Sequence, residues 1–284
     1  MAASATSDEN RVSLESPASP AVSEGATPQP PSLIQACGHL WLLTLRRQFF
    51  SRQTFVALGL TVLCGLIVMA WGRQASPEAK KFADQVLLPL FVGFLLPIYA
   101  ISYGAAAIGG EREDRTLIYL LIAPLPRPAV YLVKAFAVML LAVGWTIAAL
   151  LVLCLLAGHH GRETLPAFWQ ASVMGALVYA NLFLVLGAAF RHGTIISLAY
   201  WFFLEVLFGA MPGIVKRLTV SFYVKCQIFD AGKQLELGPV RRIAREMFLP
   251  VSGDVAFTVM SATLATLVVL GVIVFSTREY AELG

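Results

Sequence analysis

Six stretches of this chain are long and apolar enough to cross a bilayer: 54–71, 86–108, 129–157, 168–190, 194–214 and 255–276. A hydrocarbon core about 30 Å thick takes roughly 20 apolar residues as a helix. Within lipid a helix satisfies its own backbone groups, which an isolated strand does not. The fold class that follows is an all-α integral membrane protein with six transmembrane helices. Composition agrees, because 58% of the 284 residues are hydrophobic and 13% charged, against about 25% charged in an average soluble domain. The first span is short and the third long, which thinning and tilt absorb. "RHG" at 191–193 is the turn between the fourth and fifth spans, which together are far too long for one crossing. Six crossings put both termini on one side.

Residues 1–31 are rich in Ser, Ala, Pro and Glu and contain no aromatic residue. They cannot bury enough apolar surface to offset chain entropy, and they read as a disordered tail. The membrane domain is therefore 32–284. Its first part, "SLIQACGHLWLLTLRRQFFSRQ", repeats Leu33, Cys37, Leu40, Trp41 and Leu45 at helical spacing, with Arg46, Arg47 and Arg52 suited to lipid phosphates. It reads either as an interfacial elbow helix or as an extension of the first span. Lys and Arg divide ten to eleven between the two sides, so charge alone leaves the orientation open. The net charge of +4 is scattered among loops with no basic, aromatic-interleaved stripe, which argues against nucleic acid as a partner.

Between the second and third spans lies "GGEREDRTLIYLLIAPLPRPAVYLVK", 109–134. Five consecutive charges cannot sit in lipid. The apolar run after them is too short to cross, and Pro124, Pro126 and Pro128 end it. A short surface helix preceded by charge suits the docking of a soluble partner; an ordinary surface or re-entrant loop is the alternative.

This stretch resembles the signature of permease subunits of the type-2 ABC exporter family. Glu111, Thr116, Leu117, Leu120, Leu121, Pro124, Arg127 and Lys134 fall on that pattern, with Glu113 in the same acidic start, while Arg115 departs from it, since the family usually has Gly before the Thr. The order of parts agrees over 32–284: elbow, six spans, a short turn between spans four and five, and a large outer segment before span six. The resemblance implies that 116–123 is a cytoplasmic coupling helix seated on an ABC ATPase subunit, with both termini cytoplasmic in the cell (inner) membrane. It implies a second permease protomer, in a homo- or heterodimer. No GxxxxGK[ST] phosphate loop occurs in these residues, so the chain is expected to bind no cofactor, with ATP and Mg on the partner ATPase. The competing reading is a membrane scaffold for a cytosolic complex, without transport.

Glu205 is the acidic residue within a span, and such a charge should face protein or a water-filled path. Tyr200, Trp201 and Glu205 are candidates for a translocation path or a protomer contact; the other reading of Glu205 is a place near the outer headgroups, or a protonated group hydrogen-bonded to a neighbouring span. In the outer segment 211–254, "GPVRRIAREMFLP" reads as an amphipathic helix, either a lid or a cover over span ends. Asn181 and Gln170 read as interhelical hydrogen-bonding residues. Cys37, Cys64, Cys154 and Cys226 form no disulfide framework, and His39, His159, His160 and His192 show no metal spacing with Cys, so "HHGRE" reads as a solvated outer turn in preference to a copper or zinc port. Nothing resembles a nucleophile and base pair, and no catalytic or metal residue is expected.

Overall fold

The structure is a computed structural model that describes residues 32–73, 78–113, 125–209, 211, 214–238 and 250–278. Among these residues every regular element is a helix. The long helices are α1 (Leu33–Phe49), α2 (Arg52–Trp71), α3 (Ala79–Arg112), α4 (Arg127–Leu156), α5 (His159–Ala189), α6 (Gly193–Phe208), α7 (Val220–Ala231) and α8 (Gly253–Thr277). Five of them, α2, α3, α4, α5 and α8, are long and apolar enough to cross a membrane. The fifth span expected at 194–214 is the shorter helix α6; its 16 residues rise about 24 Å. The tail 1–31, the segment 116–123 and the amphipathic run 239–249 lie outside the described residues.

Helix α5 is the axis of the bundle: α3, α4, α7 and α8 all pack along it. Its approach to α3 is closest at small residues. A Cβ on Gly104 would stand 2.7 Å from the Ala180 carbonyl oxygen, and one on Gly187 would stand 2.6 Å from that of Ala105. Small residues let backbones come together where lipid supplies no hydrophobic drive between helices. Asn181, on the same helix, corrects an expectation: its Nδ2 donates to the Leu177 carbonyl of its own helix at 2.9 Å. That acceptor lies one turn back and needs no neighbour.

Helix α2 is tied to α3 by two hydroxyl pairs, Thr54 with Tyr103 at 3.1 Å and Thr61 with Tyr99 at 2.6 Å. Its other face is open, with Phe55 71% exposed, as a lipid-facing side requires. Residues 83–95 of α3 are wound wide around Pro89, and the Leu96 N–H donates to Phe91, five residues back. A proline lacks the donor and crowds the preceding turn, and an opened winding relieves both. Trp201 Nε1 of α6 adds a donor to this stretch, reaching the Gly93 carbonyl at 3.2 Å, four residues before Pro97.

Candidate functional site

The first cluster gathers where α3 ends. Lys134 lies in the second turn of α4, whose start is set by Pro126 at the N-cap and Pro128 in the first turn. Its ammonium is fully buried. Nζ donates to Glu111 Oε2 and, at 3.0 Å, to the carbonyl of Ala107, one turn before Glu111 on α3. Lys134 therefore pairs with Glu111 and adds a second donor to a carbonyl of α3, and a cation near the end of that helix also meets the negative end of its dipole. The other Glu111 oxygen lies 3.5 Å from Arg47 Nη1 on α1. Arg127, at the start of α4, donates to the Ser276 carbonyl near the end of α8 at 3.4 Å. Four polar contacts therefore fasten α1, α3, α4 and α8 at one end of the bundle.

Helix α1 turns its polar face inward. Thr44, Arg47 and Gln48 recur at i, i+3 and i+4 and, with Ser51 at the N-cap of α2, line a recess of about 170 Å³ with Glu111. Thr44 and Gln48 are buried, whereas Leu42 and Leu43 are exposed. Trp41 meets Phe136 of α4 with ring centroids 6.1 Å apart. Arg47, which the sequence suits to lipid phosphates, is half exposed and also pairs with Glu111. The polar spacing was visible in the sequence, but a helix read as interfacial conventionally turns such a stripe to water. Of the other residues on the signature, Thr116, Leu117, Leu120, Leu121 and Pro124 lie outside the described residues, as does the Glu113 side chain.

The second cluster is built around Glu205, which is buried in α6. Its two carboxylate oxygens accept the backbone N–H groups of Val220 and Ser221 at 2.9 and 3.1 Å. Thr219, the N-cap of α7, accepts from the Phe222 N–H at 3.3 Å. The first three donors of α7, which have no partner within the helix, are thereby satisfied. An acidic group at a helix N-terminus also meets the positive end of the helix dipole. The chain leaves α6 after Phe208 and comes back so that α7 begins at the level of Glu205. Glu205 thus faces protein, as an acidic residue within a span should.

A cavity of about 390 Å³ lies beside this cap, lined by Phe94, Tyr179, Trp201, Glu205 and Lys225 among others. The Tyr179 hydroxyl is fully buried and closes no hydrogen bond among the described residues, although Glu205 and Ser221 are its polar neighbours. Trp201 and Glu205 are thus brought together as expected. Tyr200 is not on this wall; it packs edge-on against Phe183 at 6.0 Å. Lys225 and Tyr179 escaped the sequence reading, because one sits on α7, within a segment read only as an outer loop, and the other in an unremarkable apolar span. The cavity offers a mixed wall of aromatic rings, a carboxylate and an ammonium.

Fold and sites together describe a multi-pass helical membrane protein with polar clusters at helix ends and no catalytic constellation among the described residues. The chain belongs to a family of membrane transporters: the ABC-2 family transporter protein matches residues 42–210, more than half of its length. It is the transmembrane permease of an ABC transporter, not the ATPase, and such permeases work with an ATPase partner. Among curated proteins none matches this chain.

Proposed function

We propose that this chain is the passive half of an ATP-driven exporter, pairing with a separate ATPase subunit and a second permease protomer in the cell membrane. Helix α6 serves as a short sixth crossing, which thinning of the bilayer accommodates, and both termini are cytoplasmic. Residues 116–123 form the coupling helix. ATP and Mg are bound by the partner, whose cycle rocks the spans between inward and outward openings. Glu111, Glu113, Thr116, Leu117, Leu120, Leu121, Pro124, Arg127 and Lys134 carry the motion, and Trp201 and Glu205 border the route.

The observation that supports this most is the Arg47–Glu111–Lys134 network. It stands where α3 hands the chain to 116–123, and it fastens that point to α1 and α4. A push delivered there moves three helices as one body. Affinity isolation of tagged protein from gentle detergent tests the proposal, comparing wild type with a Glu113→Lys, Leu120→Asp variant. An ATPase that co-purifies with wild type and is lost from the variant is the expected result. An intact protein with no ATPase in either sample would favour a scaffold.

A further inference from the structure

The turn that ends α4 and opens α5 holds a cluster that the transport reading does not use. His159, His160 and Glu163 each offer a ligand atom, and the three atoms lie within 4.8 Å of one another. His159 Nδ1 stands 3.2 Å from Glu163 Oε1. Two ligands bound to a tetrahedral Zn²⁺ at about 2.0–2.1 Å are roughly 3.3 Å apart. One edge of such a ligand set is therefore already formed. The third atom has at most about 1.5 Å to close, within reach of side-chain rotation.

The remaining imidazole is held by its surroundings. The His160 ring meets Trp71 of α2 edge-on, with centroids 6.3 Å apart and an interplanar angle of 87°. Thr164 Oγ1 donates to the carbonyls of His160 and Gly161, both at 3.1 Å, which ties down the first turn of α5. His159 and Glu163 are exposed and His160 half-buried, so an ion can enter from solvent and keep a water as its fourth ligand. Two imidazoles with one carboxylate suit Zn²⁺ and its neighbours in the first transition row; Ca²⁺ and Mg²⁺ prefer oxygen ligands. The positive end of α5 opposes a cation here, and the Glu163 carboxylate offsets it.

We propose that His159, His160 and Glu163 form a binding site for a divalent transition cation of the zinc type. The site lies at the opposite end of α4 from the Glu111 cluster, since residues 134 to 156 rise about 33 Å. Bound there, the ion clips the first turn of α5 together beside the end of α2. The linear pattern concealed the site, because adjacent histidines project in different directions on an ideal helix and meet here only at its opening turn.

The test uses the full chain, purified in detergent with a tag free of histidine. Co²⁺ serves as the spectroscopic probe, with Zn²⁺ competing against a chromogenic chelator. Expected are one ion per chain, a tetrahedral Co²⁺ absorption bleached by Zn²⁺, and weaker binding at acid pH as protons compete for the imidazoles. Loss of even a group that supports a metal ligand costs about 10–100-fold, so His159→Ala and Glu163→Gln should each weaken Zn²⁺ by about tenfold or more. His39→Ala and His192→Ala should leave it unchanged. Both site substitutions fall on exposed side chains, and elution as a single species checks that they fold. Less than one ion per chain, or an affinity unchanged in both variants, overturns the proposal.

Discussion

Lys134 and Glu111 form an ion pair in which the ammonium has no solvent exposure and the carboxylate is 13% exposed. Removing one member of such a pair leaves the other uncompensated, which typically costs about 3–5 kcal/mol. Glu111→Gln should therefore lower stability by about that amount, while Glu111→Gln with Lys134→Met should lower it by less. Thermal unfolding in detergent measures both. Additive losses would mean that the two groups are not coupled.

Arg47 approaches the same carboxylate from a position 51% exposed. Pairs of this kind contribute about 0–1 kcal/mol. Arg47→Ala should leave the unfolding temperature nearly unchanged yet reduce the ATPase rate of the assembled transporter, since the tie to α1 is lost. An unaltered rate would confine Arg47 to the lipid boundary.

Glu205→Gln replaces one of two acceptors by an amide NH₂, which then faces a backbone donor of α7. Leaving a buried donor unsatisfied costs about 1–3 kcal/mol. Hydrogen exchange should accelerate at Val220 and Ser221, with little change in the middle of α5. Equal acceleration throughout the molecule would point to general destabilisation instead of a lost cap.

Trp201 Nε1 donates to the Gly93 carbonyl, four residues before Pro97. Trp201→Phe should cost about 1 kcal/mol from the hydrogen bond alone. In a Pro97→Ala background, where residue 97 regains its N–H, the same substitution should cost less. A double-mutant cycle reads the difference, and a coupling energy of zero would refute the arrangement.

Gly104→Ala brings a methyl group to 2.7 Å from the Ala180 carbonyl, whereas Gly59→Ala meets nothing within 4 Å. Overpacking at the first should cost about 1–3 kcal/mol. The second should be close to neutral. Urea or thermal denaturation of the two variants gives the comparison, and equal stabilities would argue against a tight crossing of α3 and α5.

Apolar length was enough to locate α2, α3, α4, α5 and α8 and the turn at 191–193, because crossing a bilayer is a requirement that each segment meets within itself. The charged stretch beginning at Glu111 was legible for the same reason: lipid rejects it wherever the rest of the chain goes. The direction in which each helix turns was not legible. In a membrane the lipid is as apolar as the protein interior, so an outward Phe55 and an inward Phe183 look alike in sequence. Glu205 was seen to need a partner, but Val220 and Ser221 lie beyond a loop whose return no periodicity encodes. Arg47 was legible as a residue for lipid phosphates, but its pairing with Glu111 was not. Sequence by itself determined which segments enter the membrane and which charges stay out of its core; tertiary structure decided which polar groups meet, because that depends on the rotation of each helix about its axis and not on its hydrophobicity.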